Sequence, residues 1–206
     1  MEEAQKLGRR DARANRQRLL EVAKRLFAEH GVAPTTMKQL ALAAGVGKGT
    51  LYRHFADKGE LCRALIQEDV AAFQARVGAL IADGRQEPSA LARLEILINE
   101  RIRLTETHLP LFAAMEVASA GAPPQGKSSR GPFTAWTHGQ IVRLLNEAVA
   151  QGEVPPLDAA FVADAILATL SPAHFTYQRQ ECGYSIERIS AGMRRIFLDG
   201  LRRPAD

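Results

Sequence analysis

The sequence predicts an all-α protein: a three-helix N-terminal head followed by a larger helical body, about nine helices in all. Three observations lead there. Alanine and leucine are abundant across the 206 residues while runs of Val, Ile and Thr are scarce, which favours helix over sheet. Apolar residues recur at three- and four-residue spacing in segment after segment. Breaks containing glycine or proline separate those segments at Gly31, Gly45, Gly84–Pro88, Ser119–Pro132 and Gly152–Pro156.

Residues 1–15 carry charge without an apolar face and read as a basic flexible arm. The first helix spans Asn15 or Arg16 to Glu29, with Leu19, Val22, Ala23 and Leu26 on one face and Leu20 and Phe27 widening it. His30 and Gly31 end it. Thr36 caps the second helix, and Gln39 stands three residues on, the spacing of a capping box. Leu40, Ala41 and Ala44 share a face. Gly45 breaks the pattern as the residue that passes cheaply through the left-handed region, and Val46 plugs the turn. In the third segment, Lys48 to Phe55, Leu51 and Phe55 lie four apart on one face, leaving Lys48, Thr50, Tyr52, Arg53 and His54 on the others. Two short helices around a glycine turn read as a helix-turn-helix, whose second helix enters the DNA major groove.

Asp57 caps a fourth helix of about 25 residues, with Glu60 at its third position and a stripe through Cys62, Ile66, Val70, Phe73, Val77, Leu80 and Ile81. Further helices are expected over Ser89–Thr105, from Pro110 through Ala118, over Phe133–Gln151, from Leu157 or Asp158 to Phe175, and over Ser185–Leu201. Ser119–Pro132, rich in Gly, Pro and Ser, is the clearest loop. The domain reading is an arm at 1–15, a DNA-binding head at 16–58 and a body at 59–203.

Charge supports a basic head. Residues 1–60 hold 12 Lys or Arg against seven Asp or Glu, and the remainder 15 against 16. A basic end on a near-neutral body is the pattern of a nucleic-acid-reading module. The two cysteines, Cys62 and Cys182, lie too far apart in sequence to suggest a disulfide framework or a metal motif, and Cys62 reads as a buried structural thiol. There is no apolar run of 18 residues and no secretory pattern, so a cytoplasmic location is expected. HExxH, GxxxxGK[ST], GxSxG and CxxC are all lacking, so no catalytic residue, metal ligand or cofactor is expected.

The segment Arg16 to Leu65 resembles the DNA-binding domain of TetR-type (TetR/AcrR) bacterial transcriptional regulators. The resemblance runs in order through AKRLFAEHG (Ala23–Gly31), TTMKQLALAAGV (Thr35–Val46), GKGTLYRHF (Gly47–Phe55) and DKGEL (Asp57–Leu61). It implies DNA contacts from Thr36, Lys38, Lys48, Gly49, Thr50, Tyr52, Arg53, His54 and Lys58. Lys48 and Gly49 match the tip of the reading helix, Tyr52 and His54 phosphate anchors, and Lys58 a phosphate clamp. Arg53 has two readings, DNA contact or solvated charge, and the Tyr52 ring can also pack the head. Two residues depart from the pattern. Gly47 stands where a capping hydroxyl is common, and Gly59 where a longer polar residue is usual, which is expected to loosen the head.

For the body the resemblance implies a homodimer and an inducer site. The dimer would form through the last two predicted helices, with Phe161, Ala165, Ala168, Thr169, Ile186, Ile189, Met193, Ile196 and Phe197 at a four-helix seam. The ligand site would draw on Phe73, Ile98, Ile102, His108, Phe112, Met115, Phe133, Trp136 and His138, each of which is equally well explained as ordinary core. The implied function is a repressor released from a palindromic operator by a small apolar or amphipathic ligand. An activator or a ligandless orphan regulator would use the same head.

Overall fold

The computed structural model describes residues 2–82, 89–120 and 131–201, with side chains from Ala12 onward. Nine α-helices and no strand are present among them: α1 (Glu2–His30), α2 (Met37–Ala43), α3 (Lys48–His54), α4 (Lys58–Ala82), α5 (Ala90–Ala120), α6 (Pro132–Ala150), α7 (Ala159–Thr169), α8 (Pro172–Thr176) and α9 (Ile186–Phe197). A π turn, Tyr177–Glu181, follows α8, and a 3-10 turn, Asp199–Leu201, follows α9. The all-α expectation holds.

Two boundaries differ from the sequence reading, and one expected break holds. α1 begins at Glu2, so the helix runs through the segment expected to be an arm. The expected break between the helices at 89–105 and from Pro110 is present: His108 leaves helical geometry (φ −118°, ψ 20°), so α5 is two helices joined at a kink. Proline lacks the N–H that an interior turn uses, and Pro110 stands in the first turn of the second helix, where none is needed. The expected helix to Phe175 ends at Thr169 and restarts at Pro172, capped by Ser171. The apolar pair of α7 with the Pro172–Glu181 segment is bent by 44°, and it places Ala163, Ile166, Leu170 and Phe175 in the core. Among the described residues no single helix is long and apolar enough to cross a membrane. Residues 121–130 of the expected loop lie outside the described residues; α5 runs through Ala120, and α6 starts at Pro132.

The chain divides into two compact units. One comprises Met1–Glu68 with Pro110–Ala122, and the other Asp69–Leu109 with Pro123–Asp206. The head unit therefore takes the start of α4 and the end of α5 as well as α1–α3. Its core joins Leu19, Val22 and Ala23 of α1, Leu40 and Ala41 of α2, Leu51 of α3, Phe55 and Leu61. Cys62 is buried, and that burial pushes its thiol up to about 11. At neutral pH the group is an inert thiol, as the apolar stripe implied.

The body unit packs Phe73, Val77 and Ile81 of α4 against Leu91, Leu94 and Leu97 of α5 and Ile141, Leu144 and Leu145 of α6. Residues distant in sequence complete its helix ends. The Glu153 carboxylate accepts from the N–H groups of Ala90 (2.7 Å) and Leu91 (3.1 Å) and from the Ser89 hydroxyl (2.8 Å), so it caps α5 from the far side of α6. The orphan donors of a helix start attract a carboxylate. At the opposite kind of end, the Ile81 carbonyl of α4 accepts from Arg93 Nη1 at 3.1 Å and Arg143 Nη2 at 3.4 Å. Arg93 is buried and pairs with Glu147.

Candidate nucleic-acid interface

The helix-turn-helix is built from local signals that satisfy one another. Gln39 N donates to Thr36 Oγ1 at 3.2 Å, and Thr36 N donates to Gln39 Oε1 at 2.8 Å, a complete capping box. The Thr36 hydroxyl also donates to Gln39 Oε1. At the other end of α2, Gly45 takes φ +64°, a left-handed conformation open to glycine without penalty. Val46 N then donates to Ala41 O at 3.0 Å, closing the turn. Gly47 supplies no side-chain cap to α3, as its identity requires.

α3 has two faces. Leu51 is fully buried, as is Phe55 just after the helix, and together they seat it on the head core. Arg16 of α1 lies over the Phe55 ring, 5.2 Å from its centroid. On the other side Lys48, Gly49, Tyr52 and Arg53 are exposed, and Tyr52 keeps 51% of its surface. A Cβ added at Gly49 would meet no described atom within 4 Å, so a surface can approach its backbone closely. α3 carries no acidic residue and has Arg53 and His54 in its last turn. Lys38 of α2 is also exposed, and Thr50 is half-buried.

His54 and Lys58 sit differently from the exposed set. His54 is half-buried, and its Nε2 is buried without a hydrogen-bond partner among the described residues. Burial holds its pKa below the ordinary 6.5, with the charges of Arg53 and Arg16 adding to the effect. The unfolded chain therefore binds a proton that the folded head resists. Head stability should fall as pH drops through about 6.5, and level off below the depressed folded value. Thermal melts between pH 5 and 7.5 should show this slope, and His54→Gln should flatten it; parallel slopes in the two proteins would reject the assignment. Lys58 Nζ donates to the Ala33 carbonyl at 2.9 Å, tying the start of α4 to the α1–α2 connection. That uses one of three ammonium donors.

The two unusual glycines separate here. Gly47 is an exposed, weak cap. Gly59 is buried, and a Cβ there would stand 2.6 Å from Ala118 Cβ and 3.4 Å from Met115 Cα. The end of α5 packs directly on the backbone of α4's first turn, so Gly59 tightens the head rather than loosening it. The sequence reading missed this, because only the fold brings residue 118 beside residue 59. The first turn itself follows expectation: Glu60 N donates to Asp57 Oδ1 at 2.8 Å, and Ala56 N donates to Glu60 Oε2 at 2.6 Å.

The expected ligand residues fall in both units. Phe112 and Met115 belong to the head unit, on the end of α5. In the body unit Phe73 meets Phe133 and Trp136 edge-on, with ring centroids 5.5 and 6.0 Å away. Ile98 and Ile102 are buried in the core. His108 pairs with Asp69 at 3.3 Å, and His138 with Asp164 at 3.2 Å. Among the described residues no group of three His, Cys, Asp or Glu side chains is placed to hold a metal.

The expected dimer residues divide likewise. Ile189 and Met193 are 4% and 3% exposed and belong to the chain's own core. Phe161, Ala168 and Ile196 face outward, and Phe161 and Ile196 keep 71% and 63% of their surface. Ala165, Thr169, Ile186 and Phe197 are half-buried.

Comparison with known proteins agrees with this architecture. The family model described as "Bacterial regulatory proteins, tetR family" matches residues 19–65. An HTH-type transcriptional regulator of Staphylococcus aureus strain MRSA252 is 27% identical over 195 residues, 95% of this chain and 98% of its own. The crystal structure of a TetR-family transcriptional regulator from Pectobacterium atrosepticum is 25% identical and superposes with a TM-score of 0.62, covering 96% of this chain and 99% of that one. A gamma-butyrolactone receptor (ArpA-like protein) is 26% identical with a TM-score of 0.57, covering 93% and 90%. With the capped α2, the glycine turn and the seated α3, these likenesses establish a tetR-family helix-turn-helix domain over residues 19–65, in a chain that is similar over nearly its whole length to helix-turn-helix transcriptional regulators.

Proposed function

We propose that the protein is a repressor that binds a palindromic operator as a homodimer and is released by a small apolar or amphipathic molecule held in the body. The observation that carries the reading is the division of α3, buried through Leu51 and exposed through Lys48, Gly49, Tyr52 and Arg53. Lys48 donates to a guanine edge or a phosphate, Tyr52 and Thr50 anchor phosphates, and Thr36, Lys38, Arg53, His54 and Lys58 complete the contact set. Two-fold symmetry is supported by the outward apolar residues of α7 and α9, since a palindrome is read by two heads related by a dyad. A small-molecule effector is supported by the half-exposed aromatic corner of Phe133 and Trp136 and by the receptor named among the similar structures. α4 and α5 each contribute to both units, so a change in one unit has covalent paths to the other.

Two measurements test this. A footprint across the neighbouring promoter, repeated with candidate ligands, should show a two-fold-symmetric protected site that is lost when the effector is added. Protection of an asymmetric site, or transcription that rises when the protein binds, would overturn the repressor reading. Lys48→Ala and Tyr52→Phe should each weaken operator binding without altering fold or assembly. A phosphate contact from Lys48 contributes about one unit to the salt slope, whereas a base contact alters sequence preference. Wild-type affinity and specificity in both variants would reject the assignment of α3.

A further inference from the structure

Arg101 was not among the ligand residues expected from sequence, yet it is the charged group set most deeply in the aromatic part of the body. It lies on α5 and is buried. Its guanidinium stands over the Phe133 ring, 4.8 Å from the centroid. Nη1 donates to the hydroxyl of Thr105, one turn on, and that hydroxyl donates to the Arg101 carbonyl at 2.8 Å. Thr105 is itself fully buried. The side chain is thus held in one pose by its own helix and by an aromatic face. Phe73 closes the corner edge-on to Phe133 and Trp136. Gly78 of α4 leaves room for the indole, whose Cζ2 would lie 3.7 Å from an added Cβ.

A guanidinium is costly to bury, and an interior apolar side chain of similar volume usually serves stability as well or better. Burial lowers the Arg101 pKa to about 10, so the group still carries its charge at neutral pH. In a low-dielectric interior such a charge acts strongly on whatever enters. Phe133 and Trp136 remain half-exposed, which leaves ring surface for an apolar chain to lie against.

We propose that Arg101 anchors the head group of the body's ligand, and that this ligand is an anionic amphiphile rather than a neutral or cationic one. The proposal rests on the reading of the body as a ligand-binding unit. The planar fork of the guanidinium suits a carboxylate or a phosphate equally, and the apolar tail supplies contact area against the two rings. A cationic amphiphile of the same length meets like charge there and is rejected.

The test uses the full-length protein and the fluorescence of Trp136, the single tryptophan. Octanoate, octyl phosphate, 1-octanol and octyltrimethylammonium share one tail and differ in head. The two anions should bind at least about tenfold more tightly than octanol, the scale of a charge-assisted hydrogen bond, and the cation should not bind. Comparing the two anions identifies the favoured head. Arg101→Met should abolish the anion preference while keeping octanol binding, and Arg101→Lys should restore part of it. Equal binding of all four, binding of none, or an anion preference that survives Arg101→Met would overturn the proposal. The wild-type series decides even if Arg101→Met does not fold. Operator titrations on the same samples keep the two readings apart. An anion that saturates the body and leaves operator affinity unchanged sinks the release reading and leaves the ligand class standing. Octanol or the cation binding as tightly and releasing DNA as well does the reverse.

Discussion

Phe161→Glu combined with Ile196→Glu should convert a homodimer to monomers and abolish stable operator binding. Both side chains are large, apolar and outward-facing in the isolated chain. Burying such a side chain contributes about 1.5–3 kcal/mol, and a two-fold axis repeats each loss on the partner. The double variant therefore forfeits about 6–12 kcal/mol of burial across four side chains, before the cost of placing carboxylates at the seam. Even half of that corresponds to at least about a hundredfold in dissociation constant. Operator affinity follows, because separated heads no longer share one binding event. Sedimentation should show the monomer, and a melt should show the body intact, since neither residue belongs to its buried core. An unchanged dimer would dismiss this surface as the interface. Ile189→Glu is a poor probe of the same question. It places a carboxylate in the body's own core and should unfold it whether or not α9 meets a partner.

Gly59→Ala should destabilise the head, although glycine to alanine inside a helix ordinarily stabilises. Propensity favours alanine by about 1 kcal/mol. Against that, the new methyl group would stand 2.6 Å from Ala118 Cβ, a separation that real packing does not hold. The first turn of α4 cannot retreat easily. Asp57 Oδ1 accepts from Glu60 N, Glu60 Oε2 accepts from Ala56 N, and Lys58 ties the turn to the Ala33 carbonyl. The end of α5 must shift instead, at an overpacking cost of about 1–3 kcal/mol. Ala118→Gly in the same chain should restore stability, which makes the pair a double-mutant cycle with a large coupling term. Thermal melts report the stability, and operator titration reports whether the shifted α5 disturbs the seat of α3. A Gly59→Ala protein as stable as the parent would show that the close approach at residue 118 carries no constraint.

The features legible in the residues alone are those governed by short-range rules. The Thr36–Gln39 box, the left-handed Gly45, the Asp57 cap on Glu60 N and the Ser185 cap of α9 each involve groups within a few residues, so their spacing states the geometry. The two faces of α3 are equally legible, because Leu51 and Phe55 at i and i+4 leave the basic residues elsewhere. Tertiary structure alone decided the rest. Glu153 caps α5 from more than 60 residues away, Gly59 is demanded by Ala118, and Arg93 and Arg101 are interior although arginine usually lies outside. On α9 the apolar residues all read alike, yet Ile189 and Met193 turn inward while Ile196 stays outside. Helical periodicity states that a face is apolar. Which apolar surface covers it depends on where the other helices come to rest, and that is settled by contacts between residues far apart in the chain.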